Sequence, residues 1–292
     1  MIISRLIGGL GNQMFQYAAA KQLAVINGVE LKLDISFLQK KTDEYTQRHF
    51  ELGNFKGDFL IASQKEVDSY LKHIDNRFFR VAHRMLPNLF KYTYIAESGH
   101  QFHPEFLKYP DNTYLNGFWQ SELYFKNIAQ QIRADFTFND KVIGLSTNWR
   151  DKISNVNSVS LHVRRGDYVS LSSANIFHGV CSIEYYKQAV QKIIATVGDV
   201  ELFIFSDDLE WCRQNLVFSM PTHFVNTNDT FQDLYLMTQC KHNIIANSSF
   251  SWWGAWLNCN NNKVVITPDP WFAVKTVNTK DIIPEGWIKI HI

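Results

Sequence analysis

The second half of the chain alternates short apolar runs with longer segments of helical periodicity. The apolar runs are rich in β-branched and aromatic residues and predict strands at residues 158–163, 201–206, 222–225, 242–246 and 263–267. Segments with apolar residues at every third or fourth position separate most of them and predict helices at residues 183–197, 209–216 and 230–240. Such alternation is typical of a parallel sheet with helices on both faces.

The first residues have the pattern of a βαβ unit. Residues 2–7, IISRLI, predict a strand, and the glycine-rich loop GGLGN follows directly. A helical pattern begins at Gln13 and ends near Gly28, a typical helix stop. The alternating residues 29–35 predict a second strand. A glycine loop therefore stands at the first turn of this unit.

These two patterned regions predict two domains. Residues 36–150 are less regular, and the polar stretch 148–158 precedes the first strand of the second half. We therefore expect an N-terminal domain over residues 1–150 and a C-terminal domain over residues 151–292.

Composition is that of a soluble globular protein. The 292 residues are 46% hydrophobic and 20% charged, and the net charge of +1 gives no general attraction to nucleic acid. The N-terminal apolar run is too short for a signal peptide, no apolar stretch reaches 18 residues, and the four cysteines form no CxxC pair, so we expect a cytoplasmic protein. The basic segment 71–92 fits either a solvated helix face or a weak contact with an anionic membrane, peripheral to the inner membrane.

Polar residues gather where the predicted strands end, which is where parallel sheets bind ligands. They are Gly9, Gly11 and Asn12 after the first strand, Arg164, Arg165 and Asp167 after 158–163, Asp207 and Asp208 after 201–206, and Asn247, Ser248 and Ser249 after 242–246.

These residue types suit a nucleoside diphosphate. An arginine presents a planar fork of donors that fits phosphate oxygens. Residues 247–249 are expected at a helix N-terminus, where backbone N–H groups and the helix dipole favour an anion. Asp207 or Asp208 can accept from the two adjacent donors of guanine, and the glycine loop lets the backbone approach a bound group.

Each of these residues also has a structural interpretation. Asp167 can pair with Arg165, which leaves one arginine for a ligand. Ser248 can be an ordinary N-cap, and Asp207 with Asp208 can cap the helix that follows. Two acids without a third partner are a weak indication of a cation site.

A dinucleotide-binding fingerprint is a rival interpretation. Gly9 and Gly11 follow a strand, and Asp34 ends the next one, as a ribose-binding acid would. The third glycine of that pattern should stand at position 14, where this chain has Met14. A sugar-binding module without catalysis is a further possibility, but neither alternative uses the adjacent arginines.

Four motifs in order, GGLGNQMFQYA, HVRRGDY, SDDLEW and NSSFSWWGAWL, resemble the bacterial α-1,2-fucosyltransferases of glycosyltransferase family 11. The resemblance extends from residue 8 to about residue 257. It implies an α/β fold of the GT-B type, with two Rossmann-like domains facing a cleft. It also implies inverting transfer of L-fucose from GDP-L-fucose to O2 of a terminal β-galactose on an oligosaccharide or glycolipid, in O-antigen or other surface-glycan synthesis, with no metal or other cofactor.

The resemblance also implies roles for individual residues. Arg164 would bind the β-phosphate, and Arg165 with Asp167 would hold Arg164 in the required orientation. His162 and Asp208 would hold guanine, with Asp207 as the alternative to Asp208.

Ser248 and Ser249 would contact phosphate, and the same motif adds Asn247 and Phe250 to the donor site. Asn12 would lie near the transferred sugar. The catalytic base does not carry over, and four candidates remain open: Glu122, His49, Asp34 and His178.

Overall fold

The computed structural model describes residues 1–39, 48–72, 93–170, 172–274 and 276–291. The chain divides into two compact units, Met1–Thr137 and Phe138–Ile292, and each contains one parallel sheet. Most of the basic segment 71–92 lies outside the described residues. Within these ranges, no helix has the length and apolar character needed to span a bilayer.

The first unit is built on a four-stranded sheet in the order β2-β1-β4-β3. Its strands are β1 (Ile2–Arg5), β2 (Leu31–Asp34), β3 (Thr93–Ala96) and β4 (Thr113–Asn116). Its described α-helices are α1 (Leu10–Asn27), α2 (Gln64–Leu71) and α3 (Ala129–Asp135), and single 3-10 turns cover Leu52–Asn54, Pro104–Lys108, Glu122–Tyr124 and Lys126–Ile128.

Helix α1 is longer than predicted at its N-terminus and ends as predicted. It begins at Leu10, whereas the apolar periodicity placed its start at Gln13. At its C-terminus Gly28 has a φ of 63°, and its N–H donates to the carbonyls of Ala24 and Val25. Glycine suits this position because a Cβ is disfavoured in the left-handed region.

The second unit is built on a six-stranded parallel sheet in the order β10-β9-β8-β5-β6-β7. Its strands are β5 (Ser158–Val163), β6 (Glu201–Ser206), β7 (Thr222–Phe224), β8 (His242–Ile244), β9 (Val265–Asp269) and β10 (Ile288–His291). Its described helices are α4 (Asp140–Leu145), α5 (Thr147–Ser154), α6 (Gly166–Ser170), α7 (Ser172–His178), α8 (Ile183–Val197), α9 (Leu209–Asn215), α10 (Thr230–Gln239) and α11 (Ser249–Leu257).

The division between the units precedes the predicted boundary near residue 150. Helices α4 and α5 pack against α10, so they belong to the second unit. Phe138, just before α4, packs there as well, since its ring centre lies 5.3 Å from that of Tyr235 in α10. The polar sequence at 148–158 thus forms the end of a packed helix and a short turn.

Candidate functional site

The two arginines after β5 are each held by an aspartate that follows β6. The strands are adjacent, so the residues after them face each other. Arg164 donates from Nη1 to Oδ2 of Asp207 at 2.9 Å. The backbone N–H of Arg165 donates to Oδ1 of the same Asp207 at 2.9 Å, and its Nε donates to Asp208 at 3.1 Å.

Arg165 is built into the structure of the unit. Its guanidinium carbon lies 4.0 Å from the centre of the Trp211 ring. Its acidic partner, Asp208, caps α9 by accepting from the N–H of Trp211 at 3.1 Å, as the structural interpretation of the acidic pair predicted. Asp208 thus takes the place expected of Asp167 as partner of Arg165, and the side chain of Asp167 is outside the described part of the chain.

Arg164 is partly exposed and lies near the ring of Tyr168. Its side chain is 24% exposed, and its guanidinium carbon lies 5.6 Å from the Tyr168 ring centre. Tyr168 stacks on His178 with ring centres 4.5 Å apart, and its hydroxyl donates to the carbonyl of Asn247 at 3.3 Å. Tyr168 ends the HVRRGDY motif, and we did not predict its role, although its place in the motif was a usable signal.

Gly166 allows the approach of Asp207 to the arginines. A Cβ at this position would lie 2.6 Å from Oδ2 of Asp207, the oxygen that accepts from Arg164. Such a distance is far inside van der Waals contact, so any side chain here would displace the carboxylate. The glycine of the motif is therefore required by the ion pair.

His162 is buried and neutral beside this pair. Its side chain is 5% exposed, and its Nδ1 has no hydrogen-bond partner among the described residues. Burial, with a smaller contribution from the charge of Arg164, lowers the pKa of His162 to about 3. A neutral imidazole has one donor and one acceptor nitrogen. The ring centre of Phe250, from the first turn of α11, lies 5.5 Å away.

The start of α11 lies next to the arginines because β8, which leads into it, is the other neighbour of β5. Ser248 occupies the N-cap position, and Ser249 is the first helical residue. In the described structure no side chain caps this helix, so the hydroxyl of Ser248 does not act as the ordinary N-cap that one interpretation predicted. The first N–H groups and the helix dipole at this end are suited to an anion.

Asn247 has a structural task that we did not predict. It is buried, and its Nδ2 donates to the carbonyls of His178 at 2.7 Å and Gly179 at 3.3 Å. Its Oδ1 accepts from the thiol of Cys181 at 3.4 Å. The side chain thus connects the end of α7 to the segment between β8 and α11, and any role in donor binding remains a prediction.

The glycine loop of the first unit is held by amide side chains. Gly8 has a φ of 82°, and Gln13 donates from Nε2 to its carbonyl at 3.0 Å and to that of His49 at 2.8 Å. Asn12 accepts on Oδ1 from Nε2 of Gln120 at 2.8 Å. The amide of Asn12 is therefore fixed by a residue that follows β4.

The two candidate glycines differ in their surroundings. A Cβ on Gly9 would be 3.9 Å from the guanidinium of Arg48, whereas Gly11 is buried in the first turn of α1. Glu51 accepts from the backbone N–H of Leu10, and its burial raises the pKa of its carboxyl, with the charge of Arg48 opposing. Arg48 and Glu51 had no motif around them and were missed in the sequence.

Asp34 is already engaged in the first unit. It is 2% exposed, and its Oδ2 accepts from the hydroxyl of Tyr114 at 2.5 Å while Oδ1 accepts from the N–H of Ser36 at 2.9 Å. These contacts hold Asp34, the last residue of β2, in the buried part of the first unit. They weaken it both as a ribose-binding acid and as a candidate base. Met14, which interrupts the dinucleotide pattern, is fully buried.

The other candidate bases lie on separate elements. His49 is exposed and precedes the first 3-10 turn, and Glu122 begins the turn Glu122–Tyr124. His178 belongs to the second unit and packs its ring against Tyr168 and Phe272. Of the four candidates, Asp34, His49 and Glu122 belong to the first unit and His178 to the second.

Glu97 is a titratable residue that we did not predict. It follows β3 and accepts from the backbone N–H groups of Phe118 at 2.6 Å and Trp119 at 2.9 Å. Burial raises the pKa of Glu97 to about 7, against the effect of these hydrogen bonds. The aromatic stretch NGFWQ was visible in the sequence, but nothing near Glu97 indicated this contact.

Among the described residues, no group of three or more His, Cys, Asp or Glu side chains could hold a metal ion.

Comparison with known proteins identifies the family. The model of glycosyl transferase family 11 matches residues 2–291. The chain belongs to glycosyl transferase family 11. Among family 11 relatives, it is 36% identical to an α-1,2-colitosyltransferase of Escherichia coli, over 100% of this chain and 99% of the relative. It is 35% identical to the O-antigen biosynthesis glycosyltransferase WbnK of Escherichia coli, over 98% of this chain and 99% of that protein.

A human relative and two solved structures extend the comparison. The human galactoside α-(1,2)-fucosyltransferase 1 is 27% identical over 86% of this chain and 63% of its own length. The α-1,6-fucosyltransferase NodZ from Bradyrhizobium, co-crystallized with GDP, aligns with a TM-score of 0.52 at 15% identity, over 87% of this chain and 90% of NodZ. A mutant of Arabidopsis thaliana FUT1 in complex with GDP gives a TM-score of 0.52 at 11% identity, over 91% of this chain and 70% of that chain. The predicted family and the α/β fold class with parallel sheets, that of the GT-B fucosyltransferases, are confirmed.

Proposed function

We propose that this glycosyltransferase transfers L-fucose from GDP-β-L-fucose to the 2-hydroxyl of a terminal β-galactoside, with inversion and without a metal ion, in the synthesis of a surface glycan such as O-antigen. The observation that carries the proposal is the position of Arg164, held by Asp207 beside the uncapped start of α11. A guanidinium and a helix N-terminus on one sheet edge are well suited to a diphosphate.

In this proposal the second unit binds the nucleotide. Ser248 and Ser249 supply the hydroxyl and N–H donors of the helix start to phosphate oxygens. Asp208, or Asp207 in its place, accepts from guanine. Both carboxylates already accept from an arginine, but an ionised carboxylate has about four lone-pair sites and retains capacity for more.

Transfer exchanges one bond of the anomeric carbon for another. The bond from C1 of fucose to the β-phosphate oxygen breaks as the acceptor O2 forms its bond on the opposite face, and the O2 proton leaves to a base. Negative charge then grows on the departing GDP. Arg164 stabilises this charge where it develops, and its ion pair keeps it oriented before the reaction begins.

The first unit is the acceptor side in this proposal. Asn12, fixed by Gln120, lies near the transferred sugar. The acceptor class, a galactose-terminated oligosaccharide or glycolipid, is supported by the similarity to a galactoside α-(1,2)-fucosyltransferase and to the O-antigen enzyme WbnK.

GDP-colitose is the second candidate donor. The 36% identity to an α-1,2-colitosyltransferase favours it, and colitose differs from fucose only by the missing 3-hydroxyl. The arrangement around Arg164 serves either donor, since both carry GDP. The enzyme can distinguish the two donors only by contacts with the sugar. Their rates of transfer can therefore be compared directly in one assay.

The test is to incubate the purified protein with lactose and either GDP-L-fucose or GDP-colitose in excess EDTA. GDP release is measured, and the product linkage is determined by NMR. Fucose on O2 of galactose, at a higher kcat/KM than colitose, supports the proposal. A higher kcat/KM with GDP-colitose would show that colitose is the donor sugar. Loss of activity in EDTA would contradict metal independence. Binding of a dinucleotide with no response to GDP would overturn the assignment.

A further inference from the structure

Glu97 and the loop that follows β4 form a tightly bonded unit, here called the Glu97 clamp (Glu97 with residues 117–120). Strands β3 and β4 are paired to their last residues, and the N–H of Glu97 extends the ladder by donating to the carbonyl of Asn116 at 2.9 Å. The side chain of Glu97 contacts the loop, where one carboxylate oxygen accepts from the N–H of Phe118 and the other from the N–H of Trp119.

The clamp holds a backbone conformation that is otherwise unfavourable. Trp119 has a φ of 53°, a region in which bulky residues are rare and cost free energy. Its indole is 2% exposed, with ring centres 4.9 Å from Phe106 and 5.5 Å from Tyr124. Gly117 is needed because a Cβ there would collide with the side chain of Glu97.

The clamp is connected to the glycine loop. Strand β4 lies next to β1, so the residues that follow the two strands are neighbours. Gln120, directly after the strained Trp119, donates to Asn12 at 2.8 Å. The carboxylate of Glu97 is therefore connected to the amide of Asn12 by its hydrogen bond to Trp119, the peptide bond from Trp119 to Gln120, and the hydrogen bond from Gln120 to Asn12.

We propose that Glu97 is a positioning residue, which as a carboxylate fixes the loop 117–120 and, through Gln120, sets Asn12 against the transferred sugar. The inference rests on the proposed function, since it takes from it the place of Asn12. Glu97 itself contacts neither reactant in this account. It acts through two backbone N–H groups and one side chain.

The clamp depends on the protonation of Glu97. An ionised carboxylate accepts from both N–H groups, whereas a protonated one turns one oxygen into a donor and leaves one N–H poorly bonded. Because burial raises the pKa of Glu97 to about 7, this change falls in the physiological range. Among the described residues, His103 is the ionisable side chain whose electrostatic effect lowers the pKa of Glu97, and the loop residues 117–120 carry no titratable side chain.

The first test measures the hydrogen bonds of the Glu97 clamp independently of catalysis. In the isotope-labelled full-length protein, the amide resonances of Phe118 and Trp119 are followed from pH 5.5 to 8.5. We expect both to titrate together with a midpoint near 7 in the wild type and to be flat in Glu97→Gln. Amides that do not titrate, or that titrate unchanged in Glu97→Gln, would overturn the link to this carboxyl.

The second test asks whether the clamp acts on transfer. The pH profiles of kcat and of the acceptor KM are measured for the wild type, Glu97→Gln, Gln120→Ala and the double variant. We expect wild-type kcat to rise roughly tenfold between pH 6 and 8, and Glu97→Gln to lack this rise and remain roughly tenfold lower at pH 8. The double variant should be no slower than the slower single variant, because both changes break one connection.

Other outcomes reject the inference in distinct ways. Glu97 does not act through Gln120 if the losses of kcat in the two single variants multiply in the double variant. The same conclusion follows if Glu97→Gln lowers kcat a thousandfold while Gln120→Ala keeps the wild-type kcat. Glu105→Gln, at an exposed glutamate paired with Lys108, is the matched control and should leave the profile unchanged. Absence of transfer by the wild type would instead overturn the proposed function and the role of Asn12, while the amide titration would still decide whether the clamp exists.

Discussion

Asp207 accepts a 2.9 Å hydrogen bond from the guanidinium of Arg164 on one oxygen and a 2.9 Å bond from the backbone N–H of Arg165 on the other. A single carboxylate thus fixes the turn after β5 and orients the first arginine. The second guanidinium is taken up by Asp208 and the Trp211 ring. Two adjacent and chemically identical side chains therefore have different surroundings, and the proposed function assigns donor binding to Arg164 only.

Replacing Arg164 should therefore slow transfer severely without unfolding the protein. We expect Arg164→Ala to lower kcat by about 100- to 1000-fold, the typical loss when a group that stabilises transition-state charge is removed. Its stability should change little, because the ion pair is partly exposed and such pairs contribute about 0–1 kcal/mol. Steady-state kinetics with GDP-fucose and thermal unfolding of the same preparation measure both effects.

Arg165 provides the matched comparison for this variant. Arg165→Ala loses the stacking on Trp211 and the bond to Asp208, which should lower the free energy of unfolding by about 1 kcal/mol. Its loss of kcat should be much smaller than that of Arg164→Ala. A larger loss of kcat in Arg165→Ala would reverse the assignment of the two arginines.

Gly166 offers a test that removes no charged group. In Gly166→Ala the added methyl would lie 2.6 Å from Oδ2 of Asp207 and must push it away from Arg164. We expect a loss of kcat of about tenfold or more, since misplacement of a positioned group by about 1 Å can cost 100-fold. The kinetics of the purified variant with saturating acceptor measure this effect.

Gly144→Ala is the control for adding a methyl to a helical glycine. A Cβ on Gly144, in α4, meets no atom within 4 Å among the described residues. This variant should keep full activity and gain about 0.5–1 kcal/mol of stability from helix propensity. Full activity in Gly166→Ala would show that the ion pair tolerates displacement and is not needed for orientation.

The second unit could be predicted closely from the sequence because of its burial. Every residue of β5 is buried, and strands of this kind appear as continuous apolar runs with clear ends. β5 and β6 have the predicted bounds, and α8 covers the predicted residues 183–197. In contrast β10 alternates half-buried and exposed residues, and its pattern was too weak to predict a strand.

The contacts of the site were beyond the reach of local patterns. The partner of Arg165 is Asp208, which β6 brings across from 43 positions along the chain, and no spacing rule distinguishes it from the adjacent Asp167. Glu97 depends on a loop more than 20 residues later and on burial, which a short strand such as β3 does not reveal. The motifs thus indicated polar residues that meet after β5, β6 and β8, but not which of them bind each other.

Asn247 should prove important for folding. Asn247→Ala removes the donor to the carbonyls of His178 and Gly179 in a buried place, and leaving buried polar groups without partners costs about 1–3 kcal/mol. We expect a corresponding decrease in the midpoint of urea unfolding. GDP affinity of the folded fraction, measured by calorimetry, should decrease less than in Ser248→Ala if the asparagine is structural. A stable Asn247→Ala protein that no longer binds GDP would instead assign it to the donor site.

Asp233 in α10 should make stability depend on pH in the opposite sense to most acids. Burial, with a smaller effect of Asp229, raises the pKa of Asp233 to about 7, although the Thr227 hydroxyl bonded to it at 2.7 Å opposes the shift. Since this value lies above the ordinary 3.8, the folded state disfavours ionisation. Its contribution to stability is present below pH 4 and is lost as the pH rises through 7.

Asp233→Asn keeps the oxygen that contacts Thr227 and removes the ionisation. We expect its unfolding midpoint to exceed that of the wild type by roughly 5–10 °C more at pH 8 than at pH 5. Ionisation of Asp233 costs about 1.4 kcal/mol per pH unit over the two units between pH 5 and its pKa, about 3 kcal/mol in all. Calorimetric scans of both proteins at several pH values measure this difference, and other titrating groups cancel in the comparison. Asp151→Asn, at a side chain that is 62% exposed, should show no such trend. A difference that grew as the pH fell would mean that Asp233 is stabilised as the carboxylate, contrary to what its burial predicts.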